Sequence, residues 1–243
     1  MGVYNLDYYS AMMNGAERSA SKVLPALFDL VKPQSMLDLG CGVGCWLNVA
    51  NKLGVKRVYG FDGEYVNRTQ LRINEGDFHA INLFNQMPEP IKVDLAISLE
   101  VAEHLPEARA DALVDFLTTC SDMVFFGAAI PLQGGTDHFN EQWQSYWARK
   151  FEARGYLIST TLRDKLWMDK DIEVWYRQNT LLFVRPDSKP ILKGVLKRSD
   201  ELVLDVVHPD LYTIKISRYA FVEAILAKMQ KLLNSARSIF RTS

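Results

Sequence analysis

The stretch LDLGCGVGCW, residues 37–46, places three glycines directly after a short apolar run. Gly40, Gly42 and Gly44 let the backbone turn tightly and approach a ligand at the start of the helix that follows. Their spacing is GxGxG, because Cys45 stands where a dinucleotide-binding loop has its third glycine. The stretch therefore predicts a strand, a ligand-binding turn and a helix, with pyrophosphate disfavoured as the ligand.

Carboxylates accompany this loop. Asp38 precedes it, where a negative charge would repel phosphate and suit a cationic ligand. Asp62 ends the second predicted strand, from which a carboxylate can accept both hydroxyls of an adenosine ribose. Asp77 follows a third short segment and is placed to accept the adenine amino group. The alternative is a structural glycine turn with aspartates that cap the backbone. The spacing and Asp38 disfavour a nicotinamide oxidoreductase.

Short apolar runs alternate with helical patterns through the middle of the chain. This alternation is typical of βαβ units in a parallel sheet that is covered on both faces, so the predicted fold class is α/β. The predicted strands are Ser35–Leu39, Arg57–Asp62, Lys92–Ser98, Met123–Ala128, Gly155–Thr161 and Asn179–Val184. The predicted helices are Ser19–Leu30, Val43–Leu53, Glu107–Thr118, Glu141–Arg154 and Ser217–Phe240.

Three segments are predicted along the chain. Residues 1–33 form an N-terminal helical segment, whose Tyr4, Tyr8 and Tyr9 either cover the ligand as a lid or pack on the sheet. Residues 34–185 form the α/β domain. The linker PDSKP begins a C-terminal extension over residues 186–243.

The C-terminal extension ends in a basic helix. From Lys215 onward there are six Lys/Arg and one Glu, so a net charge of −1 for the chain combines a +5 tail with a −6 body. Within 217–240 apolar residues recur at helical spacing, with basic residues off that stripe. Such a helix covers its own core, pairs with a second subunit or lies in an anionic membrane interface.

Composition restricts the compartment and the partners. The 243-residue chain is 48% hydrophobic, and its three cysteines show no CxxC spacing. It lacks the basic and apolar start of a signal peptide and any apolar run of about 18–20 residues. These features favour a cytoplasmic protein, with peripheral contact to the inner face of the membrane as an option. The acidic body disfavours a nucleic-acid partner.

From Ser19 to Val184 the chain resembles the class I S-adenosylmethionine-dependent methyltransferases. The resemblance rests on the glycine loop and on the acidic residue that ends the second strand. It implies a Rossmann-like, seven-stranded, mostly parallel sheet with helices on both faces, followed here by a C-terminal helical extension. It also implies S-adenosyl-L-methionine as cofactor. The positions that match cofactor contacts are Asp38, Gly40, Gly42, Asp62, Asp77, Phe78 and Leu99.

Three further strings resemble a bacterial group associated with surface-polysaccharide biosynthesis. They are SLEVAEHLP at 98–106, IPLQGGTDHFNEQWQSYW at 130–147 and VWYRQNTLLF at 174–183. This resemblance implies O-methylation of a sugar hydroxyl in a surface glycan, such as O-antigen or capsule, or in its precursor. The alternatives are a small aromatic or lipid-like acceptor, and a non-catalytic cofactor-binding scaffold in a glycan-assembly complex.

The string E-x-x-E-H contains Glu100, Glu103 and His104. If a helix follows the predicted strand Lys92–Ser98 directly, the three side chains share one face and could bind Mg²⁺ or Mn²⁺. The string resembles a divalent-metal site of ubiquinone-pathway and small-RNA O-methyltransferases, and His138 matches the later histidine of the RNA enzymes. A metal there would lower the pKa of an acceptor hydroxyl. The alternative is a metal-free turn in which Glu and His shape the pocket.

Residues 133–147 follow the predicted strand Met123–Ala128 and supply polar and aromatic groups. His138 is the predicted general base because imidazole titrates near neutrality, and the acceptor hydroxyl is expected between it and Glu100 with His104. Asn140, Glu141 and Gln142 are further candidates for binding hydroxyls. Trp143, Tyr146 and Trp147 either stack on a sugar or, as the spacing of the two tryptophans favours, face the core.

Overall fold

The structure, a computed structural model, describes residues 6–188, 192 and 194–241, with side chains left aside at 6–12, 218, 220, 224 and 231–241. It divides into two compact units, Met1–Val206 and Val207–Ser243. Tyr4 lies outside the described residues, as do the side chains of Tyr8 and Tyr9, so the predicted aromatic lid stays a prediction. Within the described range, no helix has the length and apolar character needed to cross a bilayer.

The first unit is built on a seven-stranded sheet. Its strand order is β3-β2-β1-β4-β5-β7-β6, and all pairs are parallel except those that involve β7. The strands are β1 Ser35–Leu39, β2 Arg57–Asp62, β3 Phe78–Ala80, β4 Leu95–Leu99, β5 Met123–Gly127, β6 Leu157–Ser159 and β7 Leu181–Val184. The predicted α/β fold with a seven-stranded, mostly parallel sheet is confirmed.

Helices cover both faces of the sheet because successive strand residues point in opposite directions. Met36 and Phe125 pack in one apolar cluster with α1 and α2, whereas Leu37 and Phe126 pack in a second cluster with α3 and α4. The helices are α1 Leu6–Val31, α2 Cys45–Lys52, α3 Ala110–Cys120, α4 Gln144–Glu152, α5 Thr161–Leu166, α6 Val174–Asn179 and, in the second unit, α7 Pro209–Arg241.

The strand order places a crevice at the centre of the sheet. Strands β1 and β4 are neighbours, and the chain leaves β1 toward β2 and β3 but leaves β4 toward β5. Connections that diverge in this way open a gap at the carboxyl ends of the two central strands. The glycine loop follows β1, and the E-x-x-E-H string follows β4, so the fold brings both to this gap.

The segment after β4 differs from its prediction. No α-helix begins there: Glu100 adopts a positive φ of 58°, and two short 3-10 turns, Ala102–His104 and Glu107–Arg109, precede α3 at Ala110. The positive φ reverses the chain directly after the strand. The predicted helical face with Glu100, Glu103 and His104 is therefore absent.

Boundaries at both ends of the α/β domain also differ from the predicted ones. Helix α1 is longer than predicted, and its Leu24 and Leu27 are fully buried in the sheet core. The first unit ends at Val206 rather than near 185. The backbone of Lys197 pairs with Ile158 of β6, which ties this part of the extension to the sheet.

The second unit contains the predicted amphipathic helix in a longer form. Helix α7 runs from Pro209 to Arg241. Phe221, Ile225 and Met229 follow one another at helical spacing and are 68%, 42% and 54% exposed. The predicted apolar positions Leu232, Leu233, Ala236 and Phe240 have side chains outside the described part of the chain.

Candidate active site

A cavity of about 940 Å³ opens at the carboxyl ends of β1 to β4. Its lining combines the start of the glycine loop, at Gly40, with the segment after β4. Of the predicted site residues, the cavity is lined by Gly40, Asp62, Glu100 and His104. Its other polar and aromatic lining residues include Glu64, Tyr65, Asn82, Phe84, Gln86, Asp137 and Phe139.

The glycine loop has the backbone that its sequence predicts. Gly40, Gly42 and Gly44 have φ values of 86°, 55° and 85°, in the region that side chains disfavour. A Cβ at Gly40 would lie 2.2 Å from a methyl of Val101, so the loop packs directly against the segment after β4. A Cβ at Gly42 would meet nothing within 4 Å. The loop therefore faces open space at Gly42, where a ligand can reach the backbone.

Asp62 ends β2 and binds the glycine loop. One of its carboxylate oxygens accepts a hydrogen bond from Gly42 N at 2.6 Å, and the other accepts from Gly63 N at 2.6 Å and from the Tyr65 hydroxyl at 2.5 Å. The Tyr65 ring packs against Gly63, where a Cβ would be 2.1 Å from it. The phenol hydroxyl thus occupies an acceptor position that a ribose hydroxyl could take.

Asp38 is a buried carboxylate inside β1. Burial, and next the charge of Asp62, raises its pKa well above the usual range. In the part of the chain that the structure describes, no hydrogen bond or ion pair reaches its carboxylate. A cationic group of a ligand would stabilise the ionised form.

Five predicted cofactor positions lie outside the lining of the cavity, namely Asp38, Gly42, Asp77, Phe78 and Leu99. Asp77 accepts a hydrogen bond from the Asn74 amide at 3.1 Å. Phe78 is buried under the guanidinium of Arg68, which lies 5.0 Å from the ring centroid. Leu99 is part of the core at the end of β4. Their predicted contacts with adenine and the cofactor stay predictions.

Two histidines from different loops meet beside the cavity. The rings of His104 and His138 are perpendicular, with centroids 4.8 Å apart. The Nδ1 of His104 lies 3.2 Å from the Asp137 carbonyl oxygen, and the Nδ1 of His138 lies 2.9 Å from a Glu141 carboxylate oxygen. Donation from Nδ1 in both rings leaves both Nε2 atoms with a lone pair. His104 lines the cavity, whereas His138 is not among its lining residues.

Glu141 organises the loop around His138. The carboxylate that contacts the His138 ring also accepts from the backbone N–H groups of Leu132 and Gly134, at 2.8 and 2.5 Å. Gly135 packs against the same ring, and a Cβ there would lie 2.2 Å from His138 Nε2. Gly135 therefore makes room for the His138 ring, while the Gly134 N–H helps to hold the carboxylate that orients it.

Glu103 lies next to the histidine pair with its carboxylate fully buried. Neither carboxylate oxygen forms a hydrogen bond. The backbone N–H groups of Glu103 and Ala129 are nevertheless close enough to lower the pKa of the carboxyl, against the larger effect of burial. Burial, and next the charge of Glu100, raises its pKa well above the usual range. One ligand atom from each of Glu103, His104 and His138 fits within 4.8 Å of the others, so these three could hold a metal ion.

Glu100 belongs to a different network. Its two oxygens accept from the side-chain amides of Asn179 and Gln133, both at 2.8 Å. Burial is the main reason that its pKa is raised to about 7, against the lowering effect of these two amides. Of the four predicted metal ligands, Glu100 is the one outside the group that could hold an ion.

The aromatic residues of α4 lie away from the cavity. Trp147 is buried, with its ring 5.1 Å from that of Phe126, as its helical spacing predicts. Trp143 is 39% exposed at the start of the helix, so its predicted place in the core is wrong. Asn140 accepts a hydrogen bond from Gln142. The aromatic residues that do line the cavity are Tyr65, Phe84 and Phe139, which no sequence motif singled out.

Known proteins share this architecture. Residues 13–167 match the family described as the methyltransferase domain, which is more than half of the chain. No curated protein matches the sequence. The structure of magnesium protoporphyrin IX methyltransferase from Synechocystis PCC 6803 with bound SAH superposes with a TM-score of 0.53 and 18% identity, over 76% of this chain and 90% of that one.

Two other solved structures are similar. Human N-acetylserotonin methyltransferase in complex with SAM has a TM-score of 0.50 and 16% identity over 74% of this chain. An O-methyltransferase family protein from Burkholderia thailandensis has a TM-score of 0.52 and 11% identity over 74% of this chain. The matches span only 54% and 60% of those two proteins, and identities at this level establish a shared fold. By the family match and this fold, the chain belongs to the methyltransferase domain family.

Proposed function

We propose that the protein is an S-adenosylmethionine-dependent O-methyltransferase that acts on a sugar hydroxyl of a bacterial surface glycan, such as O-antigen or capsule, or of its precursor. The observation that carries the proposal is a cavity that is lined by Gly40 of the glycine loop, by Asp62 and by His104. A cofactor held at the first two would share this cavity with the histidine. The sugar acceptor is supported by the sequence resemblance and by the many polar side chains of the lining.

The residues present fit the cofactor. The backbone is open at Gly42, Asp62 has an acceptor position that now binds Tyr65, and Asp38 is a buried carboxylate in need of a positive partner. We assign ribose binding to Asp62 and the stabilisation of the cationic end to Asp38. When bound, S-adenosylmethionine supplies a methyl group on a positively charged sulfur.

His104 is the histidine that is placed to accept the proton of the acceptor hydroxyl. Burial, together with the neighbouring His138, lowers its pKa, so the ring is neutral at pH 7 and its Nε2 keeps a lone pair. The Asp137 carbonyl fixes the ring through Nδ1. Sequence reasoning preferred His138 as the base, and Glu141 holds that ring in an equivalent tautomer. Glu100 also lines the cavity, where its carboxylate can accept a hydrogen bond from the acceptor.

An Nε2 atom that binds a metal cannot also accept a proton, so the alternative to a metal-free base within the proposal is a divalent cation. Glu103, His104 and His138 would hold it, because the Glu103 carboxylate is buried without a hydrogen bond and both Nε2 atoms have lone pairs. Two imidazoles and one carboxylate form a softer donor set than the predicted two carboxylates with two histidines, which favours Mn²⁺ over Mg²⁺. Such an ion would lower the pKa of a hydroxyl that contacts it.

Titration calorimetry with S-adenosylmethionine tests the cofactor site. We expect binding by the native protein and a loss of about 10- to 100-fold in affinity for Asp62→Asn, because charge-assisted hydrogen bonds to the ribose are lost. Asp29→Asn, on the exposed face of α1, is the matched control and should bind as the native protein does. Absence of binding to the native protein at millimolar cofactor would refute the enzymatic function.

Mass spectrometry of glycan extracts from cells with and without the protein tests the acceptor, since the proposal requires a methyl group that is missing in the second sample. Once the acceptor is known, EDTA followed by Mn²⁺ tests the metal. Full activity in EDTA would exclude the cation and leave the histidines as metal-free groups. His104→Ala and His138→Ala would then show which ring takes the proton.

We further propose a cytoplasmic location, with α7 docking the enzyme at the inner face of the membrane. Support comes from the +5 charge from Lys215 onward and from the exposed apolar residues Phe221, Ile225 and Met229 of that helix. Basic residues beside an apolar stripe suit an anionic lipid surface.

A further inference from the structure

Two phenylalanines border the same cavity from opposite loops. Phe84 follows β3 and Phe139 follows His138, and their rings meet edge to face with centroids 6.4 Å apart. They are 50% and 63% exposed, although a ring of this size is usually withdrawn from water. An exposed aromatic pair at the mouth of a cavity is typical of a surface that a ligand covers.

The backbone holds both rings in place. Phe139 N donates to the carbonyl of Glu103 at 2.8 Å, so this phenylalanine is anchored to the turn that carries His104. Phe84 N donates to the Asn82 side-chain oxygen at 3.0 Å. Arg109 Nε donates to the carbonyl of Leu83, which fixes the same loop from the turn before α3. The two rings thus form a preorganised surface beside the reacting groups.

The charge of the lining restricts what this surface can bind. Four carboxylic acids line the cavity, at Asp62, Glu64, Glu100 and Asp137, and its lining in the described chain contains no Lys or Arg. A phosphate or carboxylate would be repelled here without a compensating cation. The side-chain amides of Asn82 and Gln86 belong to the same lining, and each can both donate a hydrogen bond to a hydroxyl and accept one from it.

We propose that Phe84 and Phe139 form the acceptor subsite, and that it binds a neutral, unphosphorylated sugar ring. The aromatic faces pack on the C–H face of the ring, while Asn82 and Gln86 bind its hydroxyls and one hydroxyl faces His104. Any phosphate of a glycan precursor then lies outside the cavity. This inference rests on the proposed function and specifies the acceptor of that site.

Saturation-transfer NMR with defined sugars tests the subsite. The probes are the methyl glycosides of glucose, galactose, mannose and rhamnose, with glucose 1-phosphate as the charged comparator and catechol as the aromatic one. Each is added to the full chain saturated with S-adenosylhomocysteine. We expect at least one glycoside to bind through its ring C–H protons, and glucose 1-phosphate to bind more weakly than the neutral glycosides.

Phe84→Ala and Phe139→Ala should each raise the Kd of that glycoside about 3- to 10-fold. Met168→Ala is the matched control, since this side chain is 75% exposed and outside the lining. The affinity for S-adenosylhomocysteine should stay within about twofold of native in all three variants, which also verifies that they fold. A glycoside that binds equally well to both phenylalanine variants would overturn the proposal.

The remaining outcomes distinguish a failure of the subsite from a failure of the proposed function. If S-adenosylhomocysteine binds but no glycoside does, or if catechol binds in their place, the sugar subsite is wrong and the methyltransferase function stands. Equal binding of glucose 1-phosphate would refute the charge argument and with it the neutral acceptor. If S-adenosylhomocysteine itself fails to bind, the proposed function fails and the subsite that rests on it fails too.

Discussion

Glu141 shows how one carboxylate can position a histidine and a loop together. It accepts hydrogen bonds from the His138 ring and from two backbone N–H groups of the loop that precedes it. Its role is therefore to orient His138 rather than to contact the acceptor. Groups that orient a metal-binding histidine usually contribute strongly to metal affinity.

Replacing Glu141 should weaken metal binding. We expect Glu141→Ala to lower the affinity for Mn²⁺ about 10- to 100-fold and Glu141→Gln to lose less, because its amide oxygen can still accept from Nδ1. Titration calorimetry with Mn²⁺ measures this, with the exposed Glu89→Ala as the control. An unchanged Mn²⁺ affinity in a folded Glu141→Ala protein would remove His138 from the metal site.

Glu100 should make the stability of the protein depend on pH. Burial raises its pKa from the usual 4.5 to about 7 in the folded protein. Between these values the folded state binds a proton that the unfolded state does not, so the free energy of unfolding should fall as the pH rises from 4.5 to 7. The total loss is about 3 kcal/mol, and it should be complete above pH 7.

Urea denaturation between pH 5 and 8 tests this dependence. Glu100→Gln has no proton to lose, so its free energy of unfolding should decline less over this range than that of the native protein. Glu89→Gln, at an exposed position, should keep the native slope. Parallel slopes for native and Glu100→Gln proteins would show that Glu100 titrates as an ordinary carboxylate.

At the scale of elements, the loop between β1 and α2 combines two separate requirements for glycine. Gly42 needs a positive φ but has space around it, whereas Gly40 needs a positive φ and also contacts Val101. The glycine loop and the turn after β4 are therefore packed together as one unit. A substitution in either element should therefore disturb the packing of the other.

Alanine substitutions separate the two requirements. Gly42→Ala should lower the free energy of unfolding by about 1–2 kcal/mol through backbone strain alone. Gly40→Ala should lower it by roughly 1–3 kcal/mol more, because its Cβ also overpacks against Val101. Urea denaturation measures both, and adding Val101→Ala to Gly40→Ala should recover part of the loss. Equal effects at the two positions would contradict the packing of the loop against Val101.

At the scale of the whole molecule, the charge of the chain is divided between its two units. The carboxylates that we assign to cofactor, acceptor and metal lie in the first unit, whereas the basic helix α7 forms the second. A division of this kind is expected if one unit performs the chemistry and the other provides docking.

Deleting residues 215–243 should separate docking from cofactor binding. We expect binding to phosphatidylserine vesicles to fall at least about tenfold, since the deletion removes a net charge of +5 and an apolar stripe. The affinity for S-adenosylmethionine should stay within about twofold. If the full chain bound only neutral vesicles, the charge argument would be contradicted. If the full chain bound no vesicles and the deletion converted a dimer into a monomer, the helix would be assigned to subunit contact.

Local sequence determined the sheet and the glycine loop. The bounds of β1 and β2 agree with the predicted runs Ser35–Leu39 and Arg57–Asp62, because a short, mainly apolar run and the turn residues that follow it are encoded within a few residues. The αL conformation of Glu100 was not predictable in this way. Its carboxylate is held by Asn179, which is 79 residues away, and such a partner leaves no local periodicity.

Only the tertiary structure decided which side chains meet at the cavity. Phe84, His104 and Phe139 come from loops after three different strands, and their proximity follows from the order of those strands in the sheet. The E-x-x-E-H string pointed to a metal site, but the turn after β4 placed Glu100 with amides and left Glu103 with the histidines. Sequence alone thus determined the fold and the conformation of the glycine loop, since both depend on local backbone preferences. The acceptor side of the site depends on contacts between distant loops, and those exist only in the folded chain.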